Sequence, residues 1–356
     1  MPAAPPPDDP RADDDGAHDH EANDGRHNHG APDGHAGHGG RHDHGPDPAG
    51  IDAAGLHEVA DGVHAWVQPD GTWWLNNAGL VIGDGAALIV DTCATEARTR
   101  RFLGAVAATT DADLAVAVNT HAHGDHTYGN GFLPAATTLV GHENMRRTLL
   151  DDPVIDGCPP VWDPVPDWGA VTRRVPDVTV TSGLTAHVGG RAVEVHHPGG
   201  TAHTDGDLVA WVPGVRVLFS GDLLFHGLTP LVFQGSVPGA RAALDLIATF
   251  DPVTVVPGHG PVFGAADLPR VLAEHRRYYD LVLRTAEDAV ARDVPPLEAA
   301  RACDLGPFSE WDDAERLVLN LHRACADLSG RPMDVIAAFT DAIAWNDGPL
   351  TTHVCC

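Results

Sequence analysis

His121, His123, Asp125 and His126 place four side chains able to ligate a metal within six residues, in the run Asn119-Thr120-His121-Ala122-His123-Gly124-Asp125-His126. Imidazole and carboxylate suit a divalent cation such as zinc, and a zinc with an open coordination position acidifies water. The run follows Leu114-Ala115-Val116-Ala117-Val118, an apolar stretch that reads as a buried strand. His121 and His123 are two residues apart, so in extended backbone their rings point the same way. Asp125 and His126 lie beyond the turn at Gly124 and can face a second ion. The spacing predicts two metals rather than one, and the density of ligands outweighs a reading as ordinary surface histidines.

Several elements must hold these residues in place. Val63 to Val67 reads as a strand, as does Thr72-Trp73-Trp74-Leu75-Asn76. Ala78 to Ile82 and Ala87 to Val90 flank Gly83-Asp84-Gly85, whose Asp-Gly step suits a hairpin turn. The second hairpin strand runs into Asp91, which precedes a helix at about 95 to 108 and is placed to support a ligating histidine from behind. Gly141 to Arg146 opens a short helix. Residues 151 to 176 hold six prolines with Trp162 and Trp168, the composition of a loop over a site. A second run of strands covers Val178 to Val180, Leu184 to Val188, Ala192 to His196, Asp207 to Val212 and Val215 to Ser220. His203, Asp222 and His259 each stand in a Gly-rich turn at a strand end. Helices at about 239 to 250 and 265 to 292 bracket Val253 to Val256, and about 295 to 345 is helical.

Composition narrows the function. The formal charge is −28, from 50 acidic against 22 basic residues, and all 22 are arginine. A chain without lysine supports neither Schiff-base chemistry nor a Walker A phosphate loop. Its acidity disfavours nucleic acid, which binds through clustered cations. Six cysteines lack the spacing of a disulfide framework or zinc knuckle and read as thiols of a reducing cytoplasm. No stretch reaches the ~18 apolar residues of a membrane span. Residues 1 to 50 contain Pro, Gly, Asp and eight histidines (His18, His20, His27, His29, His35, His38, His42 and His44) with few large apolar side chains. Such a segment is expected to be a disordered tail, with His-x-His pairs suited to capturing a transition metal.

On these residues the chain resembles the metallo-β-lactamase-fold superfamily over about residues 55 to 265. Five of the family's motifs occur in order: Asp91 after a strand; the His-x-His-x-Asp-His box at 121 to 126; His203 in Gly200-Thr201-Ala202-His203-Thr204; Asp222 in Phe219-Ser220-Gly221-Asp222; and His259 in Pro257-Gly258-His259-Gly260. The resemblance implies an α/β (α+β) fold, a four-layer αββα sandwich at 51–265. A helical extension at 266–356 packs on the same domain and is similar to the glyoxalase II and quinoprotein-relay branches. It implies a cofactor of two Zn²⁺ ions, with iron or manganese as alternatives. His121, His123 and His203 would hold the first ion, Asp125, His126 and His259 the second, with Asp222 as the bridge. Asp125 and Asp222 would serve catalysis. Tyr128, Asn130 and His226 are candidates to touch substrate.

The implied reaction is attack of metal-bound hydroxide on the carbonyl of a small ester, thioester or lactone. Zinc β-lactamases of the family usually lack an acid at the position of Asp222, which turns the expectation away from antibiotics. The alternatives are a β-lactamase, a non-haem iron oxidoreductase on the same scaffold, and a metal-binding protein acting through its tail. The expected partner is a small-molecule substrate, with no nucleic acid or membrane, and the oligomeric state is open.

A chain beginning at Ile51 is expected to fold and, in saturating zinc, to turn over substrate as the full chain does. Circular dichroism and activity in excess metal check this, and loss of either would make the first 50 residues part of the fold or the site.

Overall fold

The protein is described by a computed structural model over residues 51–354. The expectations for residues 1 to 50, and for Cys355 and Cys356, lie outside the described residues. In chain order, strands β1 (Gly55–Ala60), β2 (Val63–Val67), β3 (Ala78–Ile82) and β4 (Ala86–Val90) lead through helix α1 (Glu96–Thr109) to β5 (Asp113–Val118). The one-turn helix α2 (Gly124–Thr127), β6 (Thr138–His142), α3 (Glu143–Asp151), the short β7 (Trp162–Asp163) and β8 (Val178–Val180) follow. Then come β9 (Gly183–Val188), β10 (Arg191–His196), β11 (Val209–Val212), β12 (Val217–Phe225), α4 (Val237–Ile247), β13 (Thr254–His259) and β14 (Phe263–Gly264). The chain continues as α5 (Leu268–Ala291), α6 (Pro296–Ala302), α7 (Arg316–Ser329), α8 (Val335–Trp345) and β15 (Leu350–Thr351).

Among the described residues two large sheets result, a seven-stranded one in the order β1-β2-β3-β4-β5-β6-β8 and a six-stranded one in the order β14-β13-β12-β11-β10-β9, beside the two-stranded pair of β15 and β7. Alternation along the strands explains why both faces of each are buried. Val81, Leu88 and Val90 of the first sheet meet Val193, Val195 and Phe219 of the second in the central core. Their neighbours Leu80 and Ile89 point the other way, onto Phe102 and Val106 of α1. Leu218, Val255 and Leu224 face outward from the second sheet onto α4, α5 and α7 through Leu244, Val271 and Leu317. This layering is the αββα sandwich, with the C-terminal helices on its second outer face.

Three expectations need correction. Thr72 to Asn76 is not a strand but a tight turn, because polar side chains take over the backbone hydrogen bonds. Asp70 accepts from the Thr72 N–H at 3.0 Å, Leu75 N–H donates to the Thr72 carbonyl, and Trp74 sits at φ 70°. β8 belongs to the first sheet, where it runs parallel to β6, and not to the second block. The strand expected to end at Ser220 runs to Phe225 after an irregularity at Gly221, so Asp222 stands within a strand instead of a turn. The loop at 152 to 176 gains a two-residue strand, since β7 pairs in parallel with the C-terminal β15.

The two sheets approach closely where Phe219 lies over Gly79. A Cβ on Gly79 would come 2.3 Å from the Phe219 ring, too close for any real contact. Gly79→Ala is expected to cost about 1–3 kcal/mol by overpacking and Phe219→Ala about 3–5 kcal/mol by opening a cavity. Urea denaturation midpoints measure both, and an unchanged midpoint for Gly79→Ala would refute this packing.

Candidate metal centre

Strand polarity gathers the site. β4 and β5 are parallel, as are β12 and β13, so the residues that follow or close them emerge at one rim of the sandwich. Asp91 follows β4, the His-rich run follows β5, Asp222 lies on β12, and His259 ends β13. Residues 119 to 123 make bends instead of continuing β5, and His123 becomes the N-cap of α2. That single helical turn puts the ligand atoms of Asp125 and His126 in one group with His259, although the His126 ring stays 4.2 Å from that of His121. The bends are held from beneath. The Asn119 side-chain amide donates to the His126 carbonyl at 2.9 Å, and the Thr92 hydroxyl donates to the same oxygen at 3.1 Å. Gly258 cannot be another residue, since its Cβ would fall 1.9 Å from Asp222 Oδ1.

Asp91 is the organising carboxylate. It accepts from the Thr120 backbone N–H and hydroxyl, each at 2.7 Å, and from His126 Nδ1 at 2.8 Å. Because the Thr120 hydroxyl proton points at Asp91, its oxygen accepts from His121 Nδ1 at 3.0 Å. His203 Nδ1 donates to the Leu231 carbonyl at 2.6 Å and His259 Nδ1 to the Gly71 carbonyl at 2.8 Å. In His123 it is Nε2 that turns outward, 3.0 Å from Gln234 Oε1. Each ring therefore spends its proton on an outer acceptor and turns its other nitrogen inward.

The inward atoms are crowded. His123 Nδ1 lies 3.1 Å from His121 Nε2 and 2.8 Å from His203 Nε2. When these rings are neutral, each of the three nitrogens presents a lone pair. Around one tetrahedral ion with bonds of ~2.0–2.1 Å, ligand atoms would stand about 3.3 Å apart. Asp222 sits between the halves: its Oδ2 is 3.3 Å from His203 Nε2 and 3.5 Å from His259 Nε2, and its Oδ1 is 3.2 Å from His126 Nε2. His259 Nε2 is also 3.2 Å from Asp125 Oδ2. His126 Nε2 and Asp222 Oδ1 are buried without a hydrogen-bond partner, a cost that a cation between them would remove. The ligand atoms of His121, His123, His203 and Asp222 form one group within 4.8 Å, and those of Asp125, His126 and His259 another. The donor set fits a metal cofactor.

Electrostatics separates the two groups. Burial lowers the pKa of His121, His123 and His203, the last to about 3, keeping them neutral as ligands must be. Burial opposes charge on His126 and His259 too, yet Asp222 and its neighbouring carboxylates outweigh it, raising His126 well above its ordinary value and His259 to about 9. Burial likewise resists ionisation of Asp125 and Asp222. The histidines facing them prevail, bringing Asp125 to about 2 and Asp222 well below the usual range. The second group thus calls for positive charge, met by protons or by a metal that displaces them.

All seven expected ligands and Asp91 meet at this rim. Of the three substrate candidates, Tyr128 lines the cavity above it and donates its hydroxyl to Asp152 at 2.8 Å. Asn130 does not reach the cavity: it is fully buried and its amide donates to Asn119 Oδ1 at 2.8 Å, so its role is to brace the ligand loop. His226 does not line the cavity either, being held by the Pro261 carbonyl and the edge of Phe263. Sequence reasoning missed Gln234, the Gly71 and Leu231 carbonyls and the buried Arg316. Only Thr120, inside the motif, carried a signal.

Comparison with known proteins agrees with this arrangement. The model for the metallo-beta-lactamase superfamily matches residues 71–259, more than half of the chain. The metallo-beta-lactamase type 2 of Bacteroides fragilis is 25% identical over 227 residues, covering 61% of this chain and 83% of that protein. Among solved structures, a metallo-beta-lactamase from Pontibacter korlensis has a TM-score of 0.50 at 20% identity, over 63% of this chain and 99% of that one. The DIM-1 metallo-beta-lactamase has a TM-score of 0.50 at 19% identity, over 64% and 97%. At such identities the structural likeness concerns the fold.

Asp91→Ala removes the acceptor that fixes the His126 ring and, through Thr120, the His121 ring. Metal affinity is expected to fall about 10–100-fold while the chain still folds. Competition against a chromophoric chelator measures the loss, and an unchanged affinity would reduce Asp91 to a strand-end residue.

Proposed function

This chain belongs to the metallo-beta-lactamase superfamily, and from that premise we propose that it is a dinuclear zinc hydrolase of small carbonyl compounds, namely esters, thioesters or lactones. The carrying observation is the pair of abutting ligand groups with Asp222 between them. A pair of divalent ions held there would supply Lewis acidity, acidifying a water and polarising a carbonyl.

The chain's own residues supply the rest. His121, His123 and His203 would hold one ion and Asp125, His126 and His259 the other, with Asp222 shared. Asp125 and Asp222 both line the cavity, so Asp125 is placed to orient the attacking water and accept its hydrogen bond. The water oxygen adds to the acyl carbon, the bond from acyl carbon to leaving atom breaks, and the leaving group departs with the water's proton. Nothing in this scheme needs a cationic surface, in keeping with a chain of charge −28. β-Lactam hydrolysis is the second reading, favoured by the names of the relatives. A panel of esters, thioesters, lactones and β-lactams assayed with metal analysis decides between the two, and absence of any hydrolysis by fully metallated protein would end both. Cysteine usage supports a cytoplasmic location, and among the described residues no helix is long and apolar enough to cross a membrane.

Asp222→Asn keeps size and removes charge. The variant is expected to fold, to bind close to one zinc instead of two in limiting metal, and to lose most hydrolytic activity. Isothermal titration counts the sites. Two tight ions with parental turnover would sink the bridging role.

A further inference from the structure

The cavity over the metal centre has a volume of about 560 Å³ and a floor that includes Asp125, Asp222 and His259. Its walls are unlike its floor. Trp74 and Trp162 line it, packed edge to face at 5.0 Å between ring centres. Phe339 continues this wall, 5.7 Å from Trp162, and Phe233 stands 5.6 Å beyond it. Ile336 lines the cavity from α8 and yet is 82% exposed, an apolar side chain at the mouth with little protein covering it. A cleft of this size, apolar in its walls and polar at one end, is built for a ligand that buries an apolar body and presents one reactive group.

Charge narrows the ligand further. Besides the floor, the charged cavity residues are Asp151, Asp152 and Arg316. Arg316 is already engaged: its guanidinium pairs with Asp313 at 2.6 Å and lies 4.5 Å over the Trp73 ring. Away from the floor, an anionic substituent would therefore meet Asp151 and Asp152 and no basic side chain free to pair with it.

We infer that the α8 cleft recognises an uncharged carbonyl compound with a bulky alkyl or aryl acyl group, and that Ile336 and Phe339 determine this specificity. The inference rests on the hydrolase reading and adds the substrate class to it. The test uses the full-length, metal-loaded protein and p-nitrophenyl esters from acetate through butyrate and hexanoate to octanoate. A further ester carries a terminal carboxylate at hexanoate length. kcat/KM is expected to rise about fourfold per methylene until the cleft is filled, the worth of a buried CH₂, and to fall at least ~10-fold for the carboxylate. Ile336→Asp, at a position exposed enough to spare the fold, is expected to lower the octanoate-to-acetate ratio about tenfold. A series that is hydrolysed but flat with chain length, or an undiminished ratio in the variant, overturns the inference and leaves the hydrolase reading standing. Quenching of tryptophan fluorescence by 1-naphthol separates the two claims if no ester turns over. Binding that weakens in Ile336→Asp upholds the cleft against the hydrolase, whereas no quenching overturns the cleft as well.

Discussion

Three buried imidazole nitrogens with inward lone pairs, two of their separations being 3.1 and 2.8 Å, repel one another unless a cation lies among them. The rest of the fold imposes that arrangement. The outer nitrogen of each of the five histidines is fastened to a fixed acceptor: a carboxylate, a hydroxyl, an amide or a main-chain carbonyl. The acceptors come from widely separated parts of the chain. Gly71 lies in the turn before β3, Leu231 in the segment after β12, and Asp91 after β4. The site is thus a property of the whole sandwich, and weakening any one strand end would loosen a ligand it never touches.

The C-terminal segment shares in this support. Arg98 on α1, fully buried, donates to the Val354 carbonyl at 2.9 Å and to the His353 carbonyl at 2.9 Å. His353 Nδ1 lies 2.8 Å from Asp70, and the Thr352 hydroxyl donates to the Trp73 carbonyl at 2.9 Å. Asp70 and Trp73 flank Gly71, whose carbonyl fixes His259. The last residues described therefore clamp the turn that orients a ligand, and through β15 they also anchor β7, whose Trp162 walls the cavity. Helices outside the two sheets set the shape of the cleft, while the sheets set the chemistry at its floor.

The legibility of the chain follows from how local each feature is. The His-x-His-x-Asp-His box, the hairpin around Gly83-Asp84-Gly85 and α1 were readable because neighbouring residues determine them. Asp91 was readable as a supporting acid because it ends an apolar strand just before the metal run. Thr72 to Asn76 misled because its two tryptophans look like strand residues, whereas Asp70, Gln68, Asn76 and Asn77 supply turn-making hydrogen bonds that hydrophobic pattern does not register. Asn130 misled by proximity in sequence, since its helical position turns it beneath the ligand loop. Gln234 and the cleft residues of α8 were invisible, for they meet the site only through tertiary packing more than a hundred residues away.

The floor of the cavity and the cleft above it carry different kinds of information. The floor is built from buried imidazoles and carboxylates that must be balanced against one another by protons or by a metal, so its residue types are constrained and a motif can be recognised. The cleft is built from Trp, Phe, Ile and Val, which elsewhere in this chain fill ordinary core, and only their position around an open cavity distinguishes them. A family likeness that covers residues 71–259 reaches the floor but stops short of α7 and α8. Trp74, Trp162 and Phe233 of the cleft fall within that likeness, whereas Arg316, Ile336 and Phe339 lie beyond it, so their part of the wall is read from the packing of this chain and not from the family.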